Sequence, residues 1–280
     1  MTIKTIAVSL NDIDNLDSFL PTVAGIANAH QAHVSGIYVV PSVEVYAAYA
    51  GMAMADVVDT QRKRYEEMAA SVREKFDHML DANGLQGDWR QLDAINMNVS
   101  GEFCSAARVA DLAIVTKVDP DTYCGVEAEF MGNVIMGAGR PVMIVPRGRV
   151  FDTVGKRALV GWNATRESAR AVFDAIPILQ AGDSITLTWI DPQKNRDEAG
   201  DMPGAELAAT LARHGLKVTA EPMPTAHGDV GEALLNKASD SNADLLVMGA
   251  YGHSRVREFV FGGASETVLK RAGLPVLMSH

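Results

Sequence analysis

Apolar and polar positions along the chain switch repeatedly between a strand-like and a helix-like rhythm. Thr5 to Leu10 (TIAVSL) is a short, β-branched apolar run and predicts a strand. Leu16, Phe19, Leu20, Val23, Ile26 and Ala27 then recur at helical spacing. Val34 to Val40 predicts a second strand, and Asp56 to Ala82 a long charged helix that Asn83-Gly84 closes as a C-cap. A third strand follows at Asp88 to Leu92, a helix at Glu102 to Val109, and a fourth strand at Leu112 to Val115. Val126 to Met136 reads as helical, and Pro141 to Val145 as a fifth strand after the turn Ala138-Gly139-Arg140.

The same order then repeats. Ala158 to Val160, Ser184 to Ile190, Val218 to Ala220, Leu245 to Met248 and Pro275 to Met278 predict strands. Arg166 to Leu179, Ala205 to Arg213, Val230 to Ala238 and Glu266 to Arg271 predict the helices between them. Asn11 and Asn163 both close a first strand, and Ala110-Asp111-Leu112 matches Ala243-Asp244-Leu245 before a fourth. Ala138-Gly139-Arg140-Pro141-Val142 matches Ala272-Gly273-Leu274-Pro275-Val276 before a fifth. Repetition in register outweighs any single motif. Alternating strands and helices imply parallel pairing with right-handed crossovers. The expected fold is therefore α/β: two tandem Rossmann-like domains, residues 1–150 and 151–280, each a five-stranded parallel sheet flanked by helices. Such sheets bind ligands at the carboxyl ends of their strands, beside the switch in strand order.

Composition narrows the function. The chain has 280 residues, is 48% apolar, and carries a formal net charge of −10. That is enough apolar material for real cores, and no dense Lys/Arg run offers nucleic acid or an anionic membrane a basic face. No apolar stretch reaches the roughly 18–20 residues that span a bilayer, and the start lacks a signal peptide's long apolar region, so a cytoplasmic location is expected. Cys104 and Cys124 are the only cysteines. They cannot form a disulfide framework or a four-cysteine zinc site, and are expected to be reduced structural thiols.

One motif carries chemistry. The fourth strand of the second half runs into Gly249-Ala250-Tyr251-Gly252, and nine residues later come Gly262-Gly263-Ala264-Ser265 and a helix. Glycines allow backbone to approach a ribose or phosphate and to adopt positive φ. The first amides of the following helix lack internal partners, and with the helix dipole they attract anionic oxygens. Ser265 adds a hydroxyl. The plainer alternative is a glycine-rich turn that only allows tight packing.

On this G-x2-G-x9-G spacing, with its preceding strand and following helix, most of residues 157–280 resembles a universal stress protein domain of the ATP-binding type. The whole chain resembles a tandem-type universal stress protein. The resemblance implies binding of ATP or a related adenine nucleotide, alone or with Mg²⁺, in a stress-response role with an unidentified protein partner. It places the adenine near Ile190 and Asp191, held partly by main chain, with Gly228 beside the pocket. Asn163 stands where the family usually has Asp. Gly263 stands where the family usually has Ser or Thr, with the hydroxyl two positions on at Ser265. The fifth strands are expected to pair as in the family's dimers, making the chain a pseudo-dimer that could further form a homodimer.

The first half has lost this loop. Thr116 aligns with Gly249, Asp119 falls near Gly252, and Ala128, Glu129 and Met131 align with Gly262, Gly263 and Ser265. A carboxylate at a phosphate position repels the ligand, so residues 1–150 are expected not to bind ATP. The apolar stretch holding Tyr46, Tyr49, Met52 and Met54 reads either as a cover for a small hydrophobic ligand or as packing. His227, His253, Arg255 and Arg257 lie in the second half's loops, where solvated roles compete with ligand contacts. No Walker A lysine, G-x-S-x-G elbow or H-E-x-x-H pair is present. Binding rather than catalysis is expected. A slow ATP hydrolase remains one alternative, and a small-ligand or partner-binding module built on the first half another.

Overall fold

The computed structural model describes residues 2–41, 53–95, 98–118, 126–180, 182–190, 204–223, 229–251 and 263–280. The chain forms two compact units. One comprises Lys4–Arg140 with Arg147–Val150, and the other joins Pro141–Pro146 to Phe151–His280.

The first unit runs β1 (Thr5–Ser9), α1 (Leu16–His30), β2 (His33–Val40), α2 (Ala53–Asn83), β3 (Gly87–Asp93), α3 (Val99–Ala107), β4 (Leu112–Thr116) and α4 (Phe130–Gly137). Its strands lie in the order β3-β2-β1-β4, with β1 parallel to β2 and β4 and β2 parallel to β3. The second unit takes β5 (Val142–Val145), β6 (Arg157–Trp162), α5 (Arg166–Leu179), β7 (Ser184–Ile190), α6 (Ala205–Arg213), β8 (Val218–Met223), α7 (Val230–Asp240), β9 (Leu245–Gly249), α8 (Gly263–Arg271) and β10 (Val276–Ser279). Their order is β5-β10-β9-β6-β7-β8. The fifth strands pair as expected: β5 runs antiparallel to β10, with Met143 opposite Leu277.

The burial pattern explains the order. Leu112, Ala113, Ile114, Val115, Leu245, Leu246 and Val247 are fully buried, as strands covered on both faces require. The edge strands β3 and β8 instead alternate, and carry Asp88, Arg90, Asp93, Glu221 and Pro222. Charge and proline on an edge discourage pairing with another chain. On α2, Tyr65, Ala69, Val72, Phe76, Met79 and Leu80 are buried at helical spacing. A Cβ at Gly36 would stand 2.7 Å from the Phe76 ring, so the missing side chain lets α2 lie close on β2.

The matched tripeptides of the two halves have a structural cause. Asp111 accepts hydrogen bonds from the main-chain N–H groups of Lys4 (2.7 Å) and Thr5 (3.0 Å). Asp244 accepts from Gly155 N (3.0 Å), Arg157 N (2.9 Å) and the Thr153 hydroxyl (2.9 Å). Each aspartate ties the start of β1 or β6 to the strand that it precedes. Some element bounds differ from the sequence-based expectation. α3 begins at Val99 rather than Glu102, because the Asn98 side chain caps it by accepting from Gly101 N at 2.9 Å. β8 continues past Ala220 through Pro222 to Met223, which an edge position permits.

In each unit the chain steps outward from the central strand, β1 or β6, and then returns to its other side. The strand order therefore reverses between β1 and β4, and between β6 and β9. The crevice at the carboxyl ends of β6 and β9 is where the second unit's glycine motif begins.

Candidate functional site

β6 ends in Trp162 and is followed by Asn163. The Asn163 amide oxygen accepts hydrogen bonds from Thr165 N (3.3 Å) and the Thr165 hydroxyl (2.9 Å). Thr165 in turn caps α5 by accepting from Ser168 N at 3.3 Å. Between them Ala164 sits in the left-handed region at φ 57°, a conformation that only a tight turn makes worthwhile for a residue with a Cβ. The first turn of α5 is thereby brought against the end of β9. A Cβ at Gly249 would lie 2.4 Å from Ser168 N and 2.6 Å from the Glu167 carbonyl carbon. Glycine at this position admits helix backbone. Burial alone would raise the Glu167 carboxyl, but its own backbone N–H, the Arg166 guanidinium and the Thr165 hydroxyl outweigh that and hold it below the ordinary range.

Beyond Gly249 the chain is held from two sides. Ala250 N donates to the Ser279 carbonyl at 3.0 Å, and the His280 ring bonds the Ala250 carbonyl through Nδ1 at 3.1 Å. Tyr251 takes a left-handed φ of 58°, and its N–H donates to the buried Ser265 hydroxyl at 3.4 Å. That bond joins the two described segments of the glycine motif, 249–251 and 263–265. Ser265 lies in the first turn of α8, which starts at Gly263. A Cβ at Gly263 would meet no other atom within 4 Å among the described residues, so the amide end of α8 is open on that side.

The amino end of α7 packs against the same turn. Asp229 caps α7 by accepting from Gly231 N at 2.7 Å, and its other oxygen accepts from the Thr267 hydroxyl. A Cβ at Gly231 would stand 2.7 Å from the Ala264 carbonyl oxygen and from the Thr267 Cβ, so these two helix ends meet with no room for a side chain. The α7 end is thus already held by a carboxylate, and it is the amino end of α8 beside it whose helix dipole favours an anion.

Asn163, Gly249, Gly263, Ala264 and Ser265 therefore fall on one edge of the sheet: two at strand ends, three in the first turn of α8. Ile190 ends β7, opposite Met223 on β8, and the β6–β7 register that pairs Trp162 with Trp189 places it opposite Asn163. Gly228, Gly252, Gly262 and Asp191 lie outside the described residues, as do Asp119, His227, His253, Arg255, Arg257, Tyr46, Tyr49 and Met52. Sequence reasoning did not single out Gly231 and Thr267, nor the capping role of Asp229. For the cap the signal was present, because Asp229-Val230-Gly231-Glu232 has the spacing of a helix-capping box.

Among the described residues no group of three His, Cys, Asp or Glu side chains is placed to hold a metal. Cys104 is buried, and its thiol is pushed up to about 11 by that burial, a structural cysteine's environment. The Tyr251 phenol is pushed up to about 12, first by burial and then by the Glu266 carboxylate, and Tyr38 to about 12 by burial and by Tyr65. A raised tyrosine pKa means the folded chain holds protons that the unfolded chain releases near pH 10. Stability is then fully present below about pH 10 and falls as pH rises toward 12. Spectrophotometric titration should show two of the six tyrosines ionising only as the fold is lost; all six ionising near pH 10 in folded protein would contradict the burial described here.

The first unit carries different chemistry at the matching positions. Thr116 ends β4 where Gly249 ends β9, and Glu129 precedes α4. Val118 N donates to the Met131 sulfur at 3.4 Å, the counterpart of the bond from Tyr251 N to Ser265. The two loops thus share their closure but not their chemistry, a thioether standing where the second unit has a hydroxyl.

Residues 155–280 match the model of the universal stress protein family. A universal stress protein of Synechocystis sp. is 39% identical over 148 residues, 52% of this chain, and the chain spans about half (49%) of that protein's length. A solved universal stress protein from Archaeoglobus fulgidus DSM 4304 superposes with a TM-score of 0.73 at 16% identity, covering 99% of this chain and 96% of that one. A functionally unknown protein from Pseudomonas aeruginosa PAO1 does so with a TM-score of 0.61 at 16% identity, covering 99% and 92%. At these identities the two structures establish fold: α/β throughout, two Rossmann-like units in one chain. No helix among the described residues is long and apolar enough to cross a membrane.

Proposed function

We propose that this chain, whose residues 155–280 are a universal stress protein domain, binds an adenine nucleotide in its second unit and acts by binding rather than by catalysis. The observation that carries this reading is the amino end of α8. Gly263 leaves it open, Ser265 ties it to the start of the glycine motif through Tyr251 N, and α7 abuts it at Gly231. Phosphates would rest on the amides of Gly263, Ala264 and Ser265, and the ribose and adenine would extend toward Asn163 and the main chain of Ile190. Gly228, Gly252 and Gly262 would complete the cradle.

Asn163 offers a hydrogen bond without charge, so base and sugar recognition is less dependent on pH than with a carboxylate there. The nucleotide would bind alone or with Mg²⁺, and the bound form would be read by a protein partner in a cytoplasmic stress response. Mass spectrometry of denatured, freshly purified protein tests this, with calorimetric titration by AMP, ADP and ATP with and without Mg²⁺. The expected result is one nucleotide per chain with micromolar affinity. No retained nucleotide, no heat and no thermal shift at millimolar nucleotide would overturn the reading.

A further inference from the structure

We propose that His280 is a positioning residue for the second unit's glycine motif: it fixes the peptide group between Ala250 and Tyr251, and through that peptide the hydroxyl of Ser265. The consequence for binding rests on the reading of this turn as a nucleotide site. The contacts stand without it.

The Ala250–Tyr251 peptide is gripped at both ends. Its carbonyl oxygen, on Ala250, accepts from the His280 ring through Nδ1 at 3.1 Å. Its N–H, on Tyr251, donates to the Ser265 hydroxyl at 3.4 Å. Turning this peptide over would break both bonds. Such a turn changes ψ of Ala250 and φ of Tyr251 together, and it is the route by which Tyr251 would leave its left-handed φ of 58°. Strand pairing does not supply the first of these bonds. β9 and β10 pair as far as Gly249 and Ser279, and one further ladder bond runs from Ala250 N to the Ser279 carbonyl. At the Ala250 carbonyl the His280 side chain takes the place of a strand's N–H.

His280 is itself held. The Arg170 guanidinium donates to its carbonyl at 2.9 Å, and the hydroxyl of Ser279, a buried residue, donates to Asp174 at 2.9 Å. Arg170 and Asp174 both lie on α5, whose first turn packs against Gly249. The ring therefore approaches Ala250 from a fixed base. At the other end of the peptide, the oxygen of the buried Ser265 accepts from Tyr251 N, so its hydroxyl proton is directed away from that peptide. An anionic oxygen at the amino end of α8 is an acceptor for it.

The first half has neither residue. Counting from the matched Pro141 and Pro275, Pro146 stands where His280 stands, and proline has no side-chain donor. Val118 N correspondingly ends on the Met131 sulfur, which has no proton to pass on. Histidine and serine occur together in the half that keeps the glycine motif.

The test uses the full chain with His280→Leu and His280→Asn, two side chains close in size. Only asparagine carries an N–H to offer the Ala250 carbonyl. NMR exchange of the Tyr251 amide in nucleotide-free protein reads the peptide, and calorimetric titration with ATP reads the site. His280→Leu should exchange about tenfold faster at Tyr251 and bind ATP about three- to tenfold more weakly than wild type. His280→Asn should stay within about twofold of wild type in both. Equal exchange in all three proteins would overturn the proposal. So would equal affinity in His280→Leu and wild type, or an equal loss in both variants, which would mark a packing role. If wild type binds no ATP, the nucleotide reading fails on its own, and the Tyr251 exchange still decides whether His280 holds the peptide.

Discussion

Gly263→Asp is expected to weaken adenine-nucleotide binding at least tenfold while leaving the thermal stability of the second unit unchanged or slightly raised. The space beside Gly263 is open among the described residues, so the side chain meets no obstacle. A carboxylate in the first turn of a helix favours the fold by about 0.3–1 kcal/mol through the dipole, and replacing glycine there adds a similar increment. The same carboxylate competes for the amides of α8 and repels an incoming phosphate. At ~5 Å and an effective dielectric near 20 that repulsion is about 3 kcal/mol before salt screening, more than the ~1.4 kcal/mol of a tenfold loss. Calorimetry and thermal unfolding on one preparation separate the two effects. Unchanged affinity would mean that phosphates do not rest on α8.

Gly249→Ala should act in the opposite way, on stability first. Its Cβ would stand 2.4 Å from Ser168 N and 2.8 Å from Ser168 Cα, and backbone cannot swing aside as a side chain can. Either α5 lifts from β9 or β9 bends, and overpacking of this kind costs about 1–3 kcal/mol. For a unit of this size that is a fall of roughly 4–10 °C in the unfolding midpoint. Gly273→Ala is the control, because a Cβ there meets nothing within 4 Å among the described residues and its φ is not left-handed. A midpoint for Gly249→Ala equal to that of the control would show that the close approach of α5 is not required.

These two glycines show how far the sequence could be read. Both lie in the glycine segment, and that motif with its preceding strand and following helix led to the expectation that both serve the ligand. The structure separates them. Among the described residues Gly263 leaves open space at the amide end of a helix, whereas the space a side chain would take at Gly249 holds the first turn of α5. Thr116 occupies the corresponding place in the first unit, so the need for glycine lies in this helix's approach, not in the strand. Hydrophobic spacing cannot report such a need, because it depends on backbone more than eighty residues earlier in the chain.

The matched asparagines make the same point. Asn11 and Asn163 are one signal in the sequence, and folding gives them different work. Asn11 is buried on the main chain of Val39, while Asn163 turns its oxygen to Thr165. The matched aspartates, by contrast, do the same work in both units: Asp111 accepts from Thr5 N at the start of β1 and Asp244 from Arg157 N at the start of β6.

By itself the sequence determined the doubled organisation, the order of strands and helices, and which half keeps the glycine motif. Those features are written in local periodicity, in turn residues and in short matched segments, all of which act over a few neighbouring residues. Only the tertiary structure decided the antiparallel register of β5 on β10, that Glu127 reaches the Ser100 amide of α3, and that α7 and α8 meet at Gly231. Each of these joins positions far apart in the chain, and their chemistry exists only once packing has excluded water and brought the partners within hydrogen-bonding distance.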